Sequence, residues 1–524
     1  MTKFISVEEA VRLIPDRCRL GIGGFCGVGA PDSILRGMGR SYEETGSPKA
    51  ITVVTPACAG DMTMDGWGLA AIRADGLVKE LYTSVLTLPK AIQKSVSEDK
   101  IECYCLPLGV FSSIFRAMAA HDLGALTHVG LNTFCDPRVE GCKINPSAKK
   151  SGKEVVELMN INGEEMLFYH PIPMDICIIR GSYADEDGNV SIEKEAIHPE
   201  TFAMATAVHN TGGIVIFQVE KIVKSGTLDP RMVVVHKTSV DYVCLSNPGE
   251  HLPNYCEPNF RPELCGDLKI PLTDIPPMPM NLRKVIARRA LLELGKGNLV
   301  NLGLGISDGI ALVANEEGVI GDVNMSIETG MMGGVPQTGI AMGTAVNPEA
   351  IYSMPDTFDL YNGGGLDQSF LSGAQIDRYG NVNVSKFSGR IIGPGGFINI
   401  SQNTHKICFS GIFTAGKPDI RVEDGRLNIV RDGDGLKFVK DVEQITFSGD
   451  YARKTGQDVM YITERAVFRL AGETLELIEI APGVDLEEHI LKKMEFTPKI
   501  SPDLKLMDER IFRPEKMGFS FDEK

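Results

Sequence analysis

Gly181-Ser-Tyr-Ala-Asp-Glu-Asp-Gly-Asn-Val-Ser-Ile192 recurs later in the chain as Gly373-Ala-Gln-Ile-Asp-Arg-Tyr-Gly-Asn-Val-Asn-Val384, with Gly, Asp, Gly, Asn and Val in the same places. Alone, Asp-x-x-Gly-Asn is a turn between strands, the glycine supplying a positive φ. A second pair keeps nearly the same offset: Asn210-Thr-Gly-Gly-Ile-Val215 and Asn403-Thr-His-Lys-Ile-Cys408. Two matches in register imply a repeated design rather than a recurrent turn.

Outward from these segments, both halves begin alike. In the first, Ser6 and Glu9 stand at capping-box spacing before a helix over Val7–Ile14, with Val7, Ala10, Val11 and Ile14 as its apolar stripe. Pro15-Asp16 turns the chain into a strand that runs into the glycine-rich stretch from Gly21 to Gly29, and a helix starts near Asp32. In the second, a helix from about Leu282 to Leu294 is stopped by Gly295-Lys296-Gly297. A strand over Leu299–Leu302, Gly303-Leu304-Gly305 and a helix from about Asp308 follow. Short apolar strands alternate with helices, as in Ile51–Thr55, Ile176–Arg180, Ile214–Val219, Met325–Ile327 and Ile407–Phe413. Continuous apolar strands between helices imply a sheet covered on both faces, hence an α/β fold. The expected organisation is two related open α/β domains, 1–247 and 281–524, produced by internal duplication. A proline-rich linker, 248–280, joins them. A β-rich C-terminal extension follows Gly416, where Asp424-Gly425 signals a hairpin.

The chain has 524 residues, 43% hydrophobic and 23% charged, enough for large cores without disulfide or metal staples. Its net charge of −16 argues against nucleic acid, which requires a basic footprint, but leaves room for a locally cationic pocket and a small anionic substrate. Twelve cysteines lie scattered in apolar segments without a CxxC pair, which reads as free thiols in a reducing, cytoplasmic compartment and no zinc site. The start reads as a helix rather than a leader, and no apolar run is long enough for a membrane span.

The densest chemistry is Ser-Ile-Glu328-Thr-Gly330-Met-Met-Gly333-Gly334-Val-Pro336-Gln-Thr-Gly339. A strand delivers Glu328 to its C-terminal end, where open α/β sheets bind ligands, and the glycines bring bare backbone close. Gly363-Gly364-Gly365 and Gly393-Pro-Gly395-Gly396 add more. Three other readings compete. Gly305-Ile306-Ser307-Asp308-Gly309 fits a G-x-S-x-G nucleophile elbow, with Asp367 and His405 as acid and base, which would make a serine hydrolase or thioesterase. Gly411 to Lys417 imitates a phosphate loop, but Pro418 stands where Ser or Thr must meet magnesium. Gly21 to Gly29 imitates a dinucleotide loop, with Cys26 breaking the pattern.

The order Glu328-x-Gly330-x-x-Gly333-Gly334-x-Pro336-x-x-Gly339, then Phe358-Asp-x-Tyr361-x-Gly363-Gly364-Gly365-Leu366-Asp367, then Gly380-Asn-Val-Asn-Val-Ser-Lys-Phe387 resembles the family I CoA-transferases. The likeness is to the propionate CoA-transferase and acetoacetyl-CoA transferase branch, in which both halves are fused. Ile462 to Phe468 and Glu479 to Asp485 extend it over nearly the whole chain. The resemblance implies ping-pong transfer of CoA between a short-chain acyl-CoA and a free carboxylate through a thioester on Glu328. A 3-oxoacid is the alternative acceptor. It further implies an oxyanion and acyl pocket from Asn301, Gly395, Gly396 and Leu108, and CoA contacts at Gly333, Gly334, Gly363, Gly364 and Gly365. No metal and no cofactor beyond CoA itself is implied, and the assembly is a homodimer or homotetramer. Three departures touch acyl specificity: Leu108 where the family has glutamine, Asn362 where related chains have Asp, and Ser307 where many have Pro.

Overall fold

Ser6 accepts a hydrogen bond from the Glu9 amide, and the Glu9 carboxylate takes the Ser6 amide, so the capping box starts the helix Val7–Arg12. The computed structural model describes residues 2–60, 64–253, 259–303 and 305–523. In the first half, eight strands form one sheet in the order Lys3–Ile5, Tyr242–Leu245, Ile214–Val219, Ile176–Arg180, Arg19–Ile22, Ile51–Val54, Val78–Thr83 and Glu102–Cys105. Every neighbouring pair is parallel. The strands are nearly continuous apolar runs because helices cover both faces.

The second half builds a ten-stranded sheet around five parallel strands, in the order Asp458–Ile462, Lys406–Ser410, Gln368–Ser372, Leu299–Leu302 and Asn324–Ser326. Their order across the sheet repeats that of Tyr242–Leu245, Ile214–Val219, Ile176–Arg180, Arg19–Ile22 and Ile51–Val54, so the two halves share one topology. The β-rich extension is not a separate body. Ala466–Ala471 and Thr474–Ile480 add antiparallel strands to one edge, and Lys499–Leu506 pairs parallel to the last of these. The hairpin of Asp419–Glu423 and Arg426–Arg431 turns at Asp424 (φ 50°) and Gly425 (φ 73°).

Three strand ends differ from the sequence reading, and the strand expected over Ile51–Thr55 closes at Val54. The strand expected over Met325–Ile327 closes at Ser326, because Gly330, at φ 109°, makes a tight turn with its amide on the Ile327 carbonyl. The strand expected over Ile407–Phe413 closes at Ser410, before Gly411.

The two halves do not bury separate cores. Ile391 and Ile398 pack into the cluster built on the first sheet, while Phe25, Leu88 and Leu108 join Ile327, Phe358 and Phe397 in another. Each such fully buried side chain contributes roughly 1.5–3 kcal/mol. Residues 259–280 carry only the short turns Pro262–Leu264 and Leu272–Asp274, yet they are held down. Leu264 is buried with Ala196 and Val346, and Asn347 exchanges hydrogen bonds of 2.7 and 2.9 Å with the backbone of Ile270. Residues 254–258 of the expected linker lie outside the described residues.

Candidate active site

Glu328 follows the strand Asn324–Ser326 and lies past its C-terminal end, only 7% exposed. Burial raises its carboxyl above the usual glutamate value, opposed by its own backbone amide and by the side chain of Asn301. One carboxylate oxygen has no hydrogen-bond partner among the described residues. Asn301 comes from the adjacent strand Leu299–Leu302 and is fully buried. Its amide donates to the Tyr361 hydroxyl at 3.3 Å and to the Ser326 carbonyl at 3.5 Å. Tyr361 in turn donates to Ser326 Oγ at 2.8 Å, and Ser326 donates to the Val300 carbonyl at 3.1 Å. A chain of hydrogen bonds therefore fixes the amide that faces the carboxylate.

Gly396 closes the other side. A Cβ there would lie 3.4 Å from Glu328 Cγ and 3.4 Å from Phe358 Cζ, so glycine keeps the space beside the carboxylate open. The first half supplies the opposite wall. Leu108 starts the helix Leu108–Ala120, is buried with Phe25, Ile327 and Phe358, and donates its amide to the Gly395 carbonyl at 2.9 Å. Cys26, at φ 46° in the loop after Arg19–Ile22, lies near enough that the Glu328 charge, added to burial, pushes its thiol up to about 12.

Residues 4–246 match the family described as coenzyme A transferase. The caffeate CoA-transferase of Acetobacterium woodii is 42% identical over 98% of this chain and 98% of its own. The acetate CoA-transferase YdiF of Escherichia coli K12 is also 42% identical, over 99% of this chain and 97% of its own. The chain belongs to the coenzyme A transferase family. The crystal structure of the acyl-CoA transferase YdiF from E. coli O157:H7, as a thioester complex with CoA, superposes on this transferase with a TM-score of 0.93. It is 41% identical and covers 99% of this chain and 98% of its own.

The transferase puts several expected site residues to structural use. The amide of Gly395 donates to the Ser84 carbonyl at 2.9 Å, so it is not free to meet an oxyanion, whereas no described group takes the Gly396 amide. Gly333 and Gly334, at φ 71° and 72°, let the hairpin after Glu328 fold on itself. A Cβ at Gly334 would lie 2.3 Å from the Val346 carbonyl oxygen, so the close approach is to the protein's own backbone. Gly363, Gly364 and Gly365 end the helix Met354–Asn362 through amide bonds to Asp359, Tyr361 and Leu360. They precede Gln368–Ser372, at the edge of the parallel sheet opposite Glu328. Helix termination accounts for them, and their expected contact with CoA has no support from this placement. Asn362 reaches the site only at one remove. It accepts from Asn399 at 3.0 Å, and Asn399 accepts the Gly109 amide at 3.1 Å.

The transferase does not assemble the serine-hydrolase alternative. Ser307 is buried beyond the C-terminal end of Leu299–Leu302, while the Asp367 amide bonds to the Leu299 carbonyl at that strand's start. His405 precedes the neighbouring strand Lys406–Ser410 at the same far edge. A four-residue strand spans about 13 Å, so hydroxyl, acid and base cannot meet. Leu304, in the loop before Ser307, lies outside the described residues. Among the described residues no group of three or more His, Cys, Asp or Glu is placed to hold a metal ion, and no helix is long and apolar enough to cross a membrane. Sequence reasoning missed Phe25, Cys26, Ser326 and Asn399. The repeat offered a signal for the first two, because their loop occupies in the first half the position that Gly303 to Gly305 occupy in the second.

Proposed function

We propose that Glu328 is the carboxylate that exchanges acyl and CoA groups. The observation that carries this reading is a buried carboxylate with one unpaired oxygen between the Asn301 amide and the open space over Gly396, in a coenzyme A transferase. In the first step a Glu328 oxygen attacks the thioester carbonyl of the acyl-CoA. The C–S bond breaks, giving an acyl-glutamyl anhydride and CoA thiolate. The thiolate attacks the glutamyl carbonyl, the acid leaves as its carboxylate, and a glutamyl-CoA thioester remains. A second carboxylate reverses both steps. A carboxylate is a weak nucleophile, but the bonds it forms here stay activated, so no external energy source is needed. The nucleotide end of CoA can supply binding energy that is used at the reacting carbonyl. The Gly396 amide, which no described group takes, is the donor for the developing oxyanions, and Asn301 flanks the carboxylate with its amide hydrogens held by Tyr361 and Ser326.

The acid is a short-chain monocarboxylate, on the apolar wall of Leu108 and Phe358. Selectivity for a 3-oxoacid would show in the same assay as preference for acetoacetate. CoA is the one cofactor-like group the chemistry uses, the compartment is the cytoplasm, and the assembly is a homodimer or homotetramer, on the pattern of the resembled family. Incubation with acyl-CoA without acceptor should add the mass of CoA less water to the peptide carrying Glu328. Absence of that adduct with every active donor, measured by intact-protein mass spectrometry, would remove the mechanism. Parallel double-reciprocal lines unaffected by chelator are expected as well.

A further inference from the structure

The helices Thr201–Asn210 and Phe397–Asn403 hold the same place in the two halves, each leading through Asn-Thr into an equivalent strand of its sheet. Their surroundings differ. Phe397 to Gln402 are buried, and the first half covers them: Gln402 accepts the Gly130 amide at 2.7 Å and donates to the Leu131 carbonyl at 2.8 Å. The first-half helix keeps an open face. Phe202, its second residue, is 60% exposed, more than any other Phe, Tyr or Trp among the described residues.

Phe202 forms a ridge between two hollows. On one side lies a cavity of about 570 Å³ with an apolar lining of Ala119, Ala120, Ile192, Ala203, Val234 and Pro355. On the other, a hollow of about 530 Å³ holds Leu228, Pro230 and Val233, and Phe202 and Val234 line both. The first cavity joins the halves, since Ala119 and Ala120 end the helix Leu108–Ala120 while Pro355 belongs to Met354–Asn362. Charges of both signs stand at its rim, where Arg116 pairs with Asp356 at 2.6 Å and with Asp359. Leu123, just past the helix Leu108–Ala120, is 87% exposed.

A protruding ring beside a hollow that can take a ring is the shape an isologous contact requires. In a two-fold pair one patch meets itself, so each copy must offer both the knob and the hole. An apolar cavity of about 150 Å³ holds a benzene ring, and this one is larger. A small apolar ligand would account for the hole and leave the ring in water. A partner of unrelated surface needs only one of the two.

We propose that this face is a two-fold interface between copies of the chain, with Phe202 of each copy seated in the apolar cavity of the other. The assignment rests on the reading of the enzyme as a homodimer or homotetramer, and it says which surface makes the pair. An aromatic anchor in an apolar pocket, with an arginine and two carboxylates at the rim, has the composition of an interface hot spot.

Sedimentation velocity over a concentration series tests this. Phe202→Ala should weaken pairing by at least about thirtyfold, splitting tetramer to dimer or dimer to monomer where wild type stays whole. Ala120→Trp, which fills the cavity from an exposed position, should do the same. Mixing the two variants should restore pairing. The Ala120→Trp copy still offers Phe202 to an open cavity, and the Phe202→Ala copy brings no ring to the filled one. A mixture that stays dissociated, or either variant alone keeping the wild-type assembly, would overturn the proposal. Should Ala120→Trp fail to fold, Phe202→Glu decides instead. Its carboxylate suits a helix start but must split a pair that buries it in an apolar cavity, so an intact assembly would overturn the proposal. Failure of the assembly reading looks different: wild type itself would sediment as a monomer at every concentration, and the proposal would fall with it.

Discussion

An ionised Glu328 is buried without a cation beside it, and the folded protein holds its proton more tightly than the unfolded chain does. This group's contribution to stability therefore falls as pH rises from the usual glutamate value of 4.5 through the raised folded value, and stays reduced above it. Glu328→Gln should melt higher than wild type at neutral pH while losing transfer, with the difference vanishing in acid. Thermal melts across pH check this, and equal melting temperatures at neutral pH would contradict it. The acid limb of kcat/KM should likewise lie above the usual glutamate value, because the nucleophile must be ionised. The Tyr361 hydroxyl acts one step back, by holding the Asn301 amide. We expect Tyr361→Phe to lower kcat about fivefold to tenfold, the worth of roughly one net hydrogen bond, with KM nearly unchanged. A pure stability loss with normal kcat would show that Asn301 needs no such support. At this scale Glu328 stood out through its glycine-rich motif, and Asn301 entered only through the family resemblance. The Tyr361–Ser326 bond, and the capture of the Gly395 amide by Ser84, were invisible because each joins segments that only tertiary packing brings together.

Glycine-rich segments look alike in a sequence whether they cradle a ligand or end a helix. The difference lies in what a side chain would strike. Gly364, at φ 82°, turns the chain out of Met354–Asn362 far from Glu328, and we expect Gly364→Ala to cost about 1 kcal/mol of stability with KM for acyl-CoA unchanged. A raised KM in a fully folded variant would return those glycines to the binding site. Leu108 belongs to the opposite case, an element start that reaches the site. Leu108→Gln adds a donor near Gly395 and should raise the kcat/KM ratio of acetoacetate over butyrate by about tenfold or more. It should also cost about 1–3 kcal/mol of stability, because the amide enters an apolar cluster. An unchanged ratio would show that the side chain stays out of the acyl pocket. Helices, strands and the Asp424-Gly425 hairpin were legible because capping, apolar runs and turn residues are local signals. The ends of Asn324–Ser326 and Lys406–Ser410 were not, since a glycine after an apolar run does not say which residue pairs last.

The repeated topology was legible in two aligned turn motifs, but the sequence gives no sign that the two cores interlock. Ile391 and Ile398 leave the second half to pack in the first, and Leu108 and Phe25 pack in the reverse direction. We expect residues 1–247 expressed alone to expose this apolar seam and aggregate, and the two halves to be active when co-expressed. A soluble, monomeric and fully folded isolated first half, seen by size exclusion and thermal melting, would argue against the interlock. The strap at residues 259–280 then has a kinetic meaning. One wall of the Glu328 pocket comes from each half, so a cleaved enzyme would assemble its site by a second-order encounter and lose specific activity on dilution. The uncut strap makes the encounter unimolecular at an effective concentration in the millimolar range, and it fixes the ratio of the two walls at one to one at any cellular abundance.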